Sequence, residues 1–208
     1  MSVWPVRYSL SVIIPSKNPV NFKACVNAVR RCEPDIPIIG IDGSGEDFVF
    51  ARAINEGIAA AGGDDVVLLN DDALLRTPSG LTAMQREAHE HPEFGLIAST
   101  ADNVGNPNQW PQPGIGLRAE PRMVCFVCVL IRRRTIETVG LLDERFTAYG
   151  FEDDDYCLRV RRAGLKIGIY DGCFVDHGEL KSTFRAEGPQ PLEPGRQIFI
   201  EKWGSYPL

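Results

Sequence analysis

No stretch of the 208-residue chain approaches the roughly 20 consecutive apolar residues of a membrane-spanning helix. Residues Met1 to Leu10 lack the apolar core of a secretory leader. Positive charge is scarce too. The 22 lysines and arginines face 28 acids, a net charge of −6, which excludes a global basic field that gathers nucleic acid or anionic membrane. Only local groups such as Arg132-Arg133-Arg134 and Arg161-Arg162 remain for phosphates. Cys125 and Cys128 have C-x-x-C spacing, but no second pair completes a zinc site. The six cysteines fall in apparent helices and strands, so reduced core thiols and a cytoplasmic location are expected. No internal repeat and no domain boundary interrupt the chain. A single domain over 1–208 is expected, with 185–208 a mobile tail.

What is present is an alternation of strand and helix. Leu10 to Ile14 read as a strand ended by Pro15, and Phe22, Cys25, Val26 and Val29 recur at helical spacing over about 20–32. Pro37 to Ile41 form a second strand, closed by the turn Asp42-Gly43-Ser44-Gly45. A helix over about 47–61 follows, and then the apolar run Val66-Val67-Leu68-Leu69. This β-α-β-α-β order predicts a mainly parallel sheet flanked by helices. Beyond it come a helix near 79–91, a strand at 95–100, a long loop at 102–121, a core strand over 123–131 and a short helix near 135–139. A helix with an acidic first turn at 152–155, a strand at 166–170 and another at 173–175 complete the pattern.

The buried run 66–69 stops at Asn70-Asp71-Asp72. Ligands in open α/β sheets bind beyond the carboxyl ends of strands. Hard oxygen donors there suit Mg²⁺ or Mn²⁺. The alternative is a polar turn capping the next helix. Asp42 ends another strand on the same edge, and Glu152 to Asp155 open a helix. Acids converging from separate strands point to an anionic ligand such as a nucleotide diphosphate, neutralised by a cation.

Several stretches, in this order and spacing, resemble family 2 glycosyltransferases of the GT-A fold, in particular the rhamnosyltransferase-like branch. They are Ser11 to Pro15, Asp42-Gly43-Ser44, Asn55-Glu56-Gly57-Ile58, Leu68 to Asp72, Gly140 to Phe146, Glu152 to Arg159, and His177-Gly178 ahead of Lys181 to Phe184. The resemblance covers about residues 9–184. It implies an inverting transfer of a sugar from a nucleotide-diphosphate donor, expected to be a UDP-sugar, with Mn²⁺ or Mg²⁺ as cofactor. Pro15 and Ser16 would line the base pocket opposite Asp42. Asn70 and Asp72 match the ends of the D-x-D motif, with Asp71 between them on the nucleotide side. Asp72 and His177 would hold the metal. Glu152 and Asp153 match the catalytic Glu-Asp pair, with Asp153 the general base. Lys181 belongs to a loop over the diphosphate. The family arginine before Asn-x-Gly is replaced here by Ile54, and Arg52 is the candidate substitute.

On the acceptor side, Trp110 is a candidate stacking residue and Asp155 a candidate contact. Loop packing for Trp110, and helix support through Arg159 for Asp155, are the alternatives. His177 also reads as an ordinary surface histidine, and His89 and His91 as solvated helix-end residues. The acceptor is a glycan, a small molecule, a lipid-linked sugar or a hydroxymethylated DNA base. A sugar nucleotidyltransferase would need a Gly-rich basic loop after the first strand, which Ser16-Lys17-Asn18-Pro19 does not supply. A non-catalytic sugar-nucleotide-binding domain is the other competing class.

Overall fold

A computed structural model describes residues 9–45, 47–147, 150–180 and 192–205. Strand β1 (Leu10–Ser16) is buried almost throughout, as its aliphatic run requires. Its Pro15 is tolerated for a geometric reason. Val12 N donates to Pro37 O on the β2 side, so by alternation residue 15 faces β3, and pairing with β3 ends at Ile13. The missing N–H therefore costs no ladder bond. Helix α1 (Pro19–Cys32) starts at Asn18, whose Oδ1 accepts from Val20 N at 2.9 Å and Asn21 N at 3.2 Å, with Pro19 in its first turn. Strand β2 (Ile38–Asp42), helix α2 (Phe50–Ala60) and strand β3 (Asp65–Leu69) follow.

The chain then forms β4 (Leu74–Leu75), α3 (Gly80–Glu90), β5 (Phe94–Ala101), β6 (Leu117–Glu120), β7 (Cys128–Ile131), α4 (Arg133–Val139), α5 (Glu152–Arg162), β8 (Lys166–Asp176) and α6 (Glu193–Trp203). The sheet order is β2-β1-β3-β7-β5-β8-β4, with β6 also paired to β8. The pairings give β1, β2, β3, β5 and β8 one direction and β4, β6 and β7 the other. The sheet is mixed and mainly parallel, as its β-α-β start predicts. No helix among the described residues is long and apolar enough to cross a membrane.

Four sequence expectations change. The loop 102–121 is not wholly irregular, since it contains a 3₁₀ turn at Pro107–Gln109 and strand β6. Only the last four residues of the expected strand 123–131 extend, because Met123 to Val127 turn at the sheet edge. The two strands expected at 166–170 and 173–175 are one, β8, with a register shift between its pairs at Ser99 and Thr100. The expected tail holds helix α6, whose Phe199 is fully buried with Phe146 and Leu158.

Alternation in the strands splits the core across the sheet. Val12, Ile14, Val67 and Leu69 pack with Cys25 and Val29 of α1 and Met84 of α3. Ile13, Val66 and Leu68 pack on the opposite face with Ile54 and Ile58 of α2 and Tyr156 of α5. Gly57 lets α2 lie close against β1, since a Cβ there would stand 2.3 Å from Ile13 Cγ2. Asn55 beside it clamps the segment before α5. It donates to Leu142 O at 3.0 Å and Glu144 Oε1 at 2.9 Å, and accepts from Leu142 N at 3.0 Å. Gly57→Ala should destabilise the fold by about 1–3 kcal/mol through overpacking. A denaturation midpoint equal to wild type would show that α2 lifts from β1 without cost.

Candidate active site

The five codirectional strands end at Ser16, Asp42, Leu69, Ala101 and Asp176, on one edge of the sheet. At the centre, Asn70 N donates to Val127 O at 3.0 Å, and Asn70 O accepts from Ala73 N at 3.1 Å. This turn holds Asp71 and Asp72 at 3% and 4% exposure. Ser16 Oγ donates to Asp71 Oδ2 at 2.5 Å, which ties β1 to the acidic turn. Asp72 Oδ1 faces His177 Nε2 at 3.3 Å. Residue 177 is carried there by β8, while its Nδ1 faces Asn103 O at 3.1 Å. Opposite a carbonyl, Nδ1 carries the proton. Nε2 therefore meets the carboxylate across a second proton or a shared cation.

This pair fits a divalent ion. Its 3.3 Å separation matches neighbouring ligands on an ion that binds them at about 2.0–2.2 Å. Among the described residues no group of three or more His, Cys, Asp or Glu is arranged to hold a metal by itself. Two protein donors would leave further positions for phosphate oxygens and water, as hard cations at phosphate sites use.

Ser16 and Asp42, expected to line a base pocket, lie side by side with their turns. Ser16 and Asp42 are partners across β1 and β2, and Gly43 N donates to Ser16 O at 2.7 Å. Gly43 allows that approach, because a Cβ would stand 2.5 Å from the Phe48 ring. Asp42 is exposed. The hydrogen bond from Ser44 N to its carboxylate, 2.9 Å long, lowers its pKa below the usual range. Lys17 Nζ lies 5.4 Å from the centre of the Phe48 ring. Arg52 is half-exposed on α2 and 3.7 Å from Glu144, so the clamped segment before α5 holds it. Lys181 lies outside the described residues.

Helix α5 brings Glu152 and Asp153 to the same region. Phe151 before them has φ 72°, a left-handed conformation unusual for an aromatic residue. Desolvation, opposed by local backbone hydrogen bonds and reinforced by Asp154, pushes Glu152 up to about 7. Asp153 is raised well above the usual carboxyl range, by burial first and then by Glu152 and Asp154. Its neighbour Cys125 is pushed up to about 12 by burial and then by the Asp153 charge. Glu152 Oε2 is buried with no hydrogen-bond partner among the described residues. Cys125 belongs to the turn whose Val127 supports Asn70, so one turn links the two acidic groups.

Of the two readings of Asp155, acceptor contact and helix support through Arg159, its surroundings match the second. It is fully buried and saturated. Arg159 Nε donates to it at 2.9 Å, Trp203 Nε1 at 2.8 Å, and Lys202 Nζ lies at 2.7 Å. Lys202 also meets Asp143 at 2.6 Å, so α6 anchors both α5 and the segment before it. His89 is also not the solvated residue expected, since its Nε2 lies 2.6 Å from buried Asp65, at the far end of β3.

Trp110 is 53% exposed on the 102–121 segment. Gln109 beside it is buried, donating to Cys125 O at 3.1 Å and accepting from Cys125 N at 2.6 Å. Arg118 ties the same segment to Asp171 at 2.9 Å. Gln109, Asp171 and Asp102, which accepts from His177 N, escape sequence reasoning. They are single polar residues among turn formers, with no periodicity to mark them.

No protein-family model matches the chain. It is 24% identical to the uncharacterized protein y4gI of Sinorhizobium fredii over an alignment of 243 residues, covering 91% of this chain and 27% of that protein. The chain thus spans about a quarter of that relative. Among solved structures, GalNAc-T7 with UDP, GalNAc and Mn²⁺ aligns with TM-score 0.66 at 11% identity, over 94% of this chain and 48% of that one. The catalytic domain of Drosophila β1,4-galactosyltransferase 7 in complex with xylobiose aligns with TM-score 0.57 at 16% identity, over 85% and 67%. A mutant of that enzyme with manganese, UDP-Gal and xylobiose gives 0.54 at 15% identity, again over 85% and 67%. The chain therefore has the GT-A fold of these glycosyltransferases.

The acidic start of α5 sets a pH dependence. A carboxyl raised from 4.5 to about 7 keeps its proton in the native state where the unfolded chain has lost it. Stability therefore falls as pH rises between those values, and Asp153 acts in the same direction. Glu152→Gln should flatten that fall in melting temperature. Equal slopes for both proteins across the window would contradict the assignment.

Proposed function

We propose that the chain is a metal-dependent inverting glycosyltransferase that moves a sugar from a UDP-sugar to an acceptor hydroxyl. The convergence of Asp72 with His177, beside Ser16 and Asp71, carries this reading, and the turn at Cys125 to Val127 links Asp153 to it. The GT-A neighbours with UDP and manganese support it. The sequence motifs support family 2 and its rhamnosyltransferase-like branch. The six unpaired thiols support a reducing compartment, the cytoplasm.

Each residue has a part. Pro15, Ser16 and Asp42 receive the nucleoside. Asn70 and Asp71 shape the turn that faces ribose and diphosphate. Asp72 and His177 would hold Mn²⁺ or Mg²⁺, whose charge stabilises the departing diphosphate. Asp153 takes the proton of the acceptor hydroxyl as the oxygen attacks the sugar carbon from the face opposite the leaving group. It must be ionised to do so. Trp110, exposed and held by Gln109, offers a face for a sugar ring.

The acceptor is best read as a glycan or small molecule. Arg132 to Arg134, which would meet DNA phosphates, follow the far end of β7, and Arg133 N bonds Asp65 at the start of β3. They occupy the opposite edge of the sheet from Asp72.

UDP with Mn²⁺ should stabilise the fold by about 2.7 kcal/mol at a hundredfold excess over Kd, and a chelator should abolish the gain. Asp153→Asn should keep this binding and lower single-turnover transfer by about 10²–10⁴-fold. Asp72→Asn should lose metal-dependent binding itself. Wild-type transfer by Asp153→Asn would move the base elsewhere. Absence of any nucleotide effect on melting would sink the donor site. Trp110→Ala should slow transfer at limiting acceptor while leaving donor affinity intact. An unchanged rate would remove Trp110 from the acceptor site.

A further inference from the structure

The residues that follow β5 grip His177 at three points. Asp102 Oδ1 accepts from His177 N at 2.6 Å, Asn103 O accepts from Nδ1 at 3.1 Å, and Asn103 Nδ2 donates to His177 O at 3.3 Å. Asn103 reaches this arrangement with φ 49°, in the left-handed region that Asn tolerates better than most residues. The turn after His177 closes over the Asp102 carboxylate. A Cβ on Gly178 would stand 3.2 Å from Asp102 Oδ2. The turn is also held from behind. Asp176 Oδ1 accepts from Gly178 N at 3.2 Å and Glu179 N at 3.0 Å, and Arg76 pairs with Asp176 and Glu179.

We propose that Asp102 is a positioning residue for the metal site, acting through His177. The inference rests on the donor-site reading above. A histidine ligand is useful only when its ring is aimed before the ion arrives, and the partners that aim it contribute to affinity nearly as the ligands do. Asp102 fixes the main chain of His177, and Asn103 O fixes the proton on Nδ1. Nε2 is then presented to Asp72 at 3.3 Å, with the His177 side chain only 14% exposed. Asp102 itself touches neither the ion nor the sugar.

The test is Mn²⁺ affinity of the full chain in the presence of UDP, followed by the electron paramagnetic resonance of free Mn²⁺. Asp102→Ala should weaken binding by about 10–100-fold. Asp102→Asn should stay near wild type, because its amide oxygen still accepts from His177 N. In a His177→Ala background, Asp102→Ala should cost nothing more. Wild-type affinity for Asp102→Ala overturns the proposal. So does a loss in Asp102→Asn as large as in Asp102→Ala, which would mean that charge rather than position matters. An additive loss in the double variant overturns it too. If Asp102→Ala does not fold, Gly178→Ala, which crowds the carboxylate, should weaken Mn²⁺ binding, and unchanged affinity overturns the proposal. Failure of the donor reading looks different. Either wild type binds no Mn²⁺ with UDP, or Asp72→Asn binds it as well as wild type.

Discussion

Taking a carboxylate out of water costs several kcal/mol unless charge or hydrogen bonds replace its hydration. That cost separates two kinds of acid in this chain. Asp155 is satisfied by Arg159, Lys202 and Trp203, and Asp65 by Gln85, His89 and the Arg133 main chain. These acids are structural, and their partners are complete. Glu152 and Asp153 have only local backbone hydrogen bonds to oppose the effect of burial, and Asp72 faces a histidine rather than an arginine or lysine. These acids, with no arginine or lysine paired to them among the described residues, stand apart from the structural ones.

The scaffold makes that imbalance tolerable. The two apolar layers on either side of the sheet hold the strand ends in register, so the acids cannot move apart to relieve repulsion. Asn55 fixes the segment before α5, and the turn at Cys125 to Val127 joins Asn70 to the surroundings of Asp153. Rigidity of this kind is what a preorganised electrostatic site requires.

Much of this was legible in the sequence. The three aliphatic runs ending in Pro15-Ser16, Asp42 and Asn70 marked the strands, their parallel order and the edge they share, because buried strands leave an unbroken apolar signature. Asp72 and His177, more than 100 positions apart in sequence, were linked through the family resemblance, and the structure brings them within 3.3 Å. Other parts left no such mark. Strand β6 is short, half-exposed and embedded among Gly and Pro, so its pairing depends on β8 rather than on its own composition. Val124, Phe126 and Val127 are apolar because they are buried, not because they are extended. Asp155 looked like its three acidic neighbours. Its pairing with Arg159 is one of the two sequence readings, but only the fold shows that the helix turns it toward Trp203 and Lys202 of α6.

Helix α6 carries a consequence for where the folding unit ends. The motifs stop near residue 184, yet Lys202 lies against both Asp143 and Asp155, Trp203 bonds Asp155 and stacks beneath Arg162 at 4.3 Å, and Phe199 fills the space between Phe146 and Leu158. A fragment cut at the last recognisable motif would strip the inward acid of a cation and an indole donor while keeping every residue of the motifs. The recognisable enzyme and the cooperative protein have different boundaries, and the second reaches at least to Trp203.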